Sequence, residues 1–294
     1  MKRLRNQPPT VILIVFAVLL LLWGAGPAAA QLDIGFEPPD YQGSADGVIL
    51  TGQEGWYIPA AGGNPFFVFT YDGNALQLPD NPFGETQFIG SQNLGDGRNS
   101  RAQFDFDWSQ ASVWTVSYDL CGRWAGTGAP QNNLGSFSLQ DSNVARSFIA
   151  LNVWTTITGD SWRALYQVYN ASGTEQIAFL PGPEWDNLDV NHWYNQSTTF
   201  DLDQNLVLSV SITDLETGDS ATVNPEGWYL QGGSEPGTWR VPTALRFFVG
   251  GPTNVRGNIM GFDNLVISPA GDSPIRGPRT KSVRVPTDWS LTMD

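Results

Sequence analysis

Three carboxyl side chains fall within six residues at Glu184-Trp185-Asp186-Asn187-Leu188-Asp189. Hydrolysis of a glycosidic bond needs two carboxyl groups at a set separation, one acting as acid and the other as base or nucleophile. The run Pro181-Gly182-Pro183 stands directly before this segment and favours a loop over a central strand. A second acidic run, Asp201-Leu202-Asp203-Gln204-Asn205, opens like a helical-hand calcium loop. Leu206 stands where that loop needs glycine and Ile212 where it needs glutamate, so it reads as a strand end with solvated acids. His192 is the sole histidine, which excludes multi-histidine metal sites. It has no basic surroundings of the kind a lyase needs to hold an acidic polysaccharide, and it reads as structural. Cys121 is the sole cysteine, so no internal disulfide and no cysteine-ligated zinc cluster can form. No complete catalytic set emerges.

Recognition chemistry is better represented. The chain has 12 tryptophans, 11 of them after residue 30. Tryptophan and tyrosine faces stack on the C–H faces of sugars while amides and carboxylates take the hydroxyls. Most of these rings read as core, Trp114 and Tyr118 among them. Arg123 and Trp124 end a strand before the loop-like run Gly126-Thr127-Gly128-Ala129-Pro130. Asn152 and Trp154 alternate away from Ile149, Leu151 and Val153, and Arg163 is similarly placed. If these strands share a concave sheet, Asp119, Arg123, Trp124, Asn152, Trp154 and Arg163 form a polar, aromatic ligand-binding groove.

Strands must position these residues. Ala102, Phe104, Phe106 and Trp108 alternate with Gln103, Asp105 and Asp107, the period of a half-buried strand. Trp114, Val116, Tyr118 and Leu120 repeat the pattern. Further strands are expected over Phe66–Tyr71, Ser136–Leu139, Phe148–Trp154, Arg163–Tyr169, Gln176–Leu180, Thr198–Leu202, Val207–Asp214, Leu245–Val249 and Ile259–Ile267. Turn signals at Asp72-Gly73-Asn74, Ala171-Ser172-Gly173 and 213–219 suit hairpins. The 32 glycines and 20 prolines are scattered, as many short turns require. No window holds helical periodicity. An all-β, two-sheet antiparallel sandwich accommodates a dozen such strands.

The first 30 residues are different in kind. Lys2, Arg3 and Arg5 precede the apolar run Val11 to Trp23, and Ala28-Ala29-Ala30 offers small residues for cleavage, which together describe a signal peptide. The run has 13 residues, against the roughly 20 a spanning helix needs. The exported part, 31–268, is expected as one domain with no membrane span after cleavage, secreted or periplasmic. A flexible basic tail, 269–294, carries Arg276, Arg279, Lys281 and Arg284. Removing three N-terminal cations takes the net charge from −14 to −17. A surface that acidic repels phosphate backbones, so nucleic acid is excluded as a partner. The sequence leaves the oligomeric state open.

Two segments carry a resemblance. The opening Ile34-Gly35-Phe36-Glu37-Pro38-Pro39-Asp40-Tyr41 with Gly52-Gln53-Glu54-Gly55-Trp56, and the closing Gly261-Phe262-Asp263-Asn264-Leu265-Val266-Ile267-Ser268, resemble exported concanavalin A-like (LamG-like) jelly-roll domains. They are also similar to jelly-roll carbohydrate-binding modules. The resemblance implies a sandwich whose first and last strands lie side by side. It further implies one structural calcium, held by an early and a late acid, here Glu37 and Asp263; calcium takes six to eight oxygens. Catalytic relatives carry E-x-D-x-E or E-x-D-x-x-E on one strand, and here Asp189 stands in place of the last glutamate. The expected function is therefore non-catalytic recognition of a polysaccharide or other glycan. A polysaccharide-degrading enzyme on the same fold is the alternative, and a structural envelope or matrix protein the second.

Overall fold

A computed structural model describes residues 32–60, 62–124, 134–142, 149–158, 161–180, 182–250 and 257–270, without the side chains of 136 and 151–158. The expected signal segment lies outside the described residues, as does the tail beyond Ala270. Among the described residues no helix is long and apolar enough to cross a membrane.

In chain order the strands are β1 (Leu32–Ile34), β2 (Val48–Ile49), β3 (Phe67–Thr70), β4 (Gln87–Gln92), β5 (Ser100–Asp105), β6 (Val113–Trp124), β7 (Gly135–Gln140) and β8 (Ala150–Thr158). There follow β9 (Ser161–Tyr169), β10 (Glu175–Phe179), helix α1 (Pro183–Asp186), β11 (Leu188–Asp189), β12 (Trp193–Asp201), β13 (Leu206–Asp214), β14 (Ser220–Val223), β15 (Ala244–Val249) and β16 (Asn258–Pro269). Among the described residues they form two antiparallel sheets of a jelly-roll sandwich. One runs β14-β13-β12-β6-β16-β4-β3-β2 with β1 also on β16; the other runs β10-β9-β8-β7-β15-β5 with β11 on β9.

Period-two burial builds the core. In β6 the side chains of Trp114, Val116, Tyr118 and Leu120 point between the sheets and are buried. Tyr118 meets Phe137, Phe247 and Phe262, with Phe247 and Phe262 stacked at 4.3 Å. Six of the tryptophans (Trp56, Trp108, Trp114, Trp162, Trp185 and Trp193) are buried, so aromatic content here serves packing first.

The hairpins at Ala171-Ser172-Gly173 (β9 to β10) and at 213–219 (β13 to β14) form as expected. The Asp72-Gly73-Asn74 turn does not close a tight hairpin. It begins a long connection, Tyr71 to Thr86, between the paired strands β3 and β4. This connection folds back over the outer face of the nine-stranded sheet, where Leu76, Leu78, Phe69, Tyr71, Phe88, Cys121, Trp193 and Ile259 make a second apolar cluster. Glycines let it lie close: a Cβ on Gly90 would sit 2.7 Å from Leu76 Cδ1, and one on Gly261 2.7 Å from Leu78 Cδ1.

The first and last strands do lie side by side, Leu32 opposite Ile267 and Ile34 opposite Leu265. One edge of β16 thus serves two neighbours, β4 along Ile259–Phe262 and β1 along Leu265–Ile267. The changeover falls at Asp263 and Asn264, where β16 slips register against β6 and Asn264 takes φ 50°. The extra residue of this bulge re-aims the side chains, so that Phe262 and Leu265 both remain in the core.

Candidate functional site

The bulge sets Asp263 directly opposite Asp119 on β6, and Asp119 directly opposite Asn195 on β12. Like charges facing each other across a strand pair repel, and both carboxyls are almost fully buried. Neutral donors surround them. Tyr71 donates its hydroxyl to Asp263 Oδ2 (2.8 Å), and the backbone N–H of Asn264 donates to Asp263 Oδ1 (2.7 Å). The amide of Asn81 bridges Asp119 Oδ2 (2.9 Å) and Asp263 Oδ2 (3.3 Å). Asn264 Nδ2 (2.7 Å) and Asn195 Nδ2 (2.7 Å) also donate to Asp119. Burial, then the charge of Asp119, push the Asp263 carboxyl well above the usual carboxylate range, against the pull of the Tyr71 and Asn264 hydrogen bonds. Burial and the charge of Asp263 push the Tyr71 phenol up as well. Gly84 seals the lid, since a Cβ there would lie 2.8 Å from Asp263 Oδ2 and 2.7 Å from the Tyr71 hydroxyl. This pair is a buried polar knot under the Tyr71–Thr86 connection, closed to substrate.

Glu37 stands next to it and does a different job. Its Oε1 accepts the backbone N–H groups of Thr86 (2.8 Å) and Gln87 (3.0 Å), and Oε2 takes the Thr86 hydroxyl. It ties the exit of β1 to the start of β4 at the place where β16 changes neighbours. Calcium would have to displace these donors from Glu37 and the tyrosine and amide donors from Asp263. No group of three or more His, Cys, Asp or Glu among the described residues is placed to hold a metal ion. Glu37 and Asp263 as arranged do not fit a calcium site. Adding about 1 mM calcium or a chelator should therefore leave the melting temperature within ~1 °C of its starting value. A calcium-dependent rise lost in Glu37→Ala would overturn this.

The expected groove does not assemble. Asp119, Arg123 and Trp124 belong to the nine-stranded sheet, whereas Asn152, Trp154 and Arg163 belong to the other. The reason is a crossover: β6 pairs with β12 and β16, and the chain changes sheet before β7. Arg123 is occupied by the connection, its Nη1 donating to Gln77 O (3.1 Å) and Oε1 (3.2 Å). Trp124 is half-buried and packs on Gly257, where a Cβ would come within 2.4 Å of its ring. Positions 152 and 154 pair with Tyr166 and Ala164 of β9. Their side chains lie outside the described residues. Arg163 is on the outer side of β9, its guanidinium 4.4 Å from the Phe179 ring centre.

The other acid runs behave as their neighbours dictate. Glu184 and Asp186 fall within α1, a single turn begun at Pro183, with Trp185 buried beneath them. Asp189 belongs to β11, so these three acids do not share one strand. Asp201 caps the β12 to β13 turn by accepting the N–H groups of Asp203 (2.8 Å) and Gln204 (3.0 Å). His192 is held by Asp214 at 2.8 Å and Glu216 at 3.5 Å. Burial raises the Asp214 carboxyl, but the Thr217 N–H, His192 and the Glu216 N–H outweigh it, and the net displacement is downward.

An open hollow of about 470 Å³ lies where β1 leaves the sheet, lined by Leu32–Pro38, Asp40, Tyr41, Glu54, Glu85 and Phe104. Five of its side chains are carboxylates: Asp33, Glu37, Asp40, Glu54 and Glu85. Its apolar wall is Phe36, Tyr41 and Phe104, backed by Trp56, whose indole N–H donates to the Tyr41 hydroxyl (3.2 Å). Burial, together with the charges of Glu54 and Asp40, pushes the Tyr41 phenol up to about 12 although the Trp56 hydrogen bond opposes it. The opening motif thus does assemble a concave feature. What the sequence hid is that Glu85, far along the chain, completes it.

No protein-family model and no curated protein matches the chain. Solved structures match at low similarity. The CBM2 module of the Lactobacillus casei BL23 phage J-1 evolved Dit is 12% identical, with TM-score 0.39 over 61% of this chain and 75% of that one. A carbohydrate esterase from the Shiga toxin-encoding bacteriophage phi24B is 9% identical, with TM-score 0.42 over 81% and 97%. A family 7 alginate lyase, A1-II', is 12% identical, with TM-score 0.37 over 75% and 85%. At this similarity no residue correspondence follows.

Proposed function

We propose that this is an exported, non-catalytic glycan-recognition protein, and that its ligand enters the acidic hollow beside β1. The observation that carries this reading is the hollow itself, an open recess of about 470 Å³ lined by Asp33, Asp40, Glu54 and Glu85 beside the engaged Glu37, with the half-buried Phe104 ring at its wall and Phe36 and Tyr41 buried behind. Carboxylates accept paired hydrogen bonds from vicinal hydroxyls, and an apolar wall takes the C–H face of a sugar ring. Their charge selects among glycans. Uronate chains are repelled by a body whose net charge, −14 for the full chain, is −17 without Lys2, Arg3 and Arg5, while neutral sugars are accepted and amino sugars attracted. Among the described residues the carboxyl held far above its ordinary range is Asp263, and it is sealed from substrate.

Titration calorimetry with neutral β-glucan, chitosan and alginate oligosaccharides tests the reading. Binding is expected for the first two and not for alginate. Asp40→Asn and Glu54→Gln should each weaken chitosan binding about tenfold, the worth of one charge-assisted hydrogen bond, whereas Arg123→Ala should not. Unchanged affinity in both acid variants would move the site elsewhere, and release of reducing ends from any of the three would make the protein an enzyme.

A further inference from the structure

The two ends of the smaller sheet are treated differently. At one end β5 is covered: Tyr57 and Gln103 exchange backbone hydrogen bonds of 2.9 Å, and Asn64 bridges Ser100. At the other end β10 has no neighbour on its outer side among the described residues. It contains no Lys, no Pro and no bulge, the usual devices that blunt an edge. Its Ile177 and Phe179 are 58% and 49% exposed.

The turn fixes which backbone groups face out. Asn170 N–H donates to Thr174 O at 2.9 Å, and hydrogen-bonded pairs recur at every second position of an antiparallel ladder. Gln176 and Ala178 therefore turn their backbone groups to β9, while Glu175, Ile177 and Phe179 present theirs to the open side. On the outer sheet face Arg163 lies over Phe179. Its Nε is shielded without an acceptor, and it has no ion-pair partner among the described residues.

We infer that β10 is a self-association edge, pairing antiparallel with β10 of a second copy about a two-fold axis at Ile177. That register sets Ile177 opposite the partner's Ile177 and Phe179 opposite the partner's Glu175. Paired residues share a face, so the Arg163 guanidinium above Phe179 meets the carboxylate of the partner's Glu175. The two-fold repeats the contact. A foreign strand would need an acid at the same offset from an apolar centre; this strand brings its own. A five-residue seam is small beside the roughly 1,200–2,000 Å² of stable interfaces. The dimer is therefore concentration-dependent, with a dissociation constant between about 1 μM and 1 mM.

Sedimentation velocity of the purified protein from about 1 μM to 1 mM should show the dimer growing with concentration. Arg163→Glu and Glu175→Arg should each weaken it roughly tenfold or more, and the double exchange should restore it. Oxidation supplies a test that does not depend on the charge variants. The Cα atoms of a hydrogen-bonded antiparallel pair are ~5.5 Å apart, within the range a disulfide spans. Ile177→Cys should thus form a covalent dimer, while Gln176→Cys, facing the other way, should not. Cys121 is fully buried with its thiol pushed up by burial, so it does not compete. A monomer at every concentration, a double exchange that fails to restore association, or equal cross-linking of the two cysteine variants would each overturn the inference.

Discussion

Replacing Trp193 with alanine is expected to lower the unfolding free energy by about 3–5 kcal/mol, the cost of emptying a buried aromatic site. The indole is 1% exposed and closes the second apolar cluster, edge-on to Tyr71 and Phe88 at 6.1 and 6.0 Å. Its N–H also donates to Pro79 O at 2.8 Å, in the connection that covers the sheet. Alanine removes the packing and leaves that carbonyl unpaired. The damage should spread along the connection, because Asn81 and the Arg123 to Gln77 clip depend on the same seating. Denaturant unfolding would show the loss, and hydrogen exchange would show faster opening at Leu78 and Gly84. A loss below ~1 kcal/mol, with exchange unchanged over residues 74–86, would mean that Trp193 does not hold the lid.

That lid explains why the strands were legible in the sequence while the site was not. Alternation is local: Trp114, Val116, Tyr118 and Leu120 announce their own strand, and the structure buries all four. Sheet membership is not local. Nothing in the residues of β6 and β8 says that their chain crosses between layers, so Asp119 and Asn152 were expected on one face. The short strands β1 and β11 carry too few alternations to register, and β4 and β16 are buried on both sides and so do not alternate. The closing Asp263-Asn264 stands out in the sequence, but its role depends on Tyr71, at the end of an expected strand, and on Asn81 and Gly84, which look like ordinary loop. Asn81 lies 182 positions from Asp263, a separation that no spacing rule in one sequence reveals.

Asp263→Asn should make the protein more stable at neutral pH, by about 1 kcal/mol or more, because its amide is neutral without a proton, whereas Asp263 beside Asp119 must take up a proton on folding or hold a second charge in the buried pair. A carboxyl held above its unfolded value binds its proton more tightly in the folded state. Its contribution to stability is complete below the unfolded value, near 4, and is lost as the pH rises through the folded value. The asparagine variant has no such loss. The difference in stability between variant and wild type should accordingly be near zero at about pH 3.5, grow with rising pH and level off once Asp263 ionises in the folded protein. Asp263→Ala should behave differently, costing roughly 1–3 kcal/mol, since the Asn264 N–H and the Tyr71 hydroxyl lose their acceptor. Urea unfolding from pH 3.5 to 8 would separate these cases. If the asparagine variant were less stable than wild type at pH 7 and the gap closed toward acid, Asp263 would be serving as a charge, held by a cation or a donor that this arrangement does not supply.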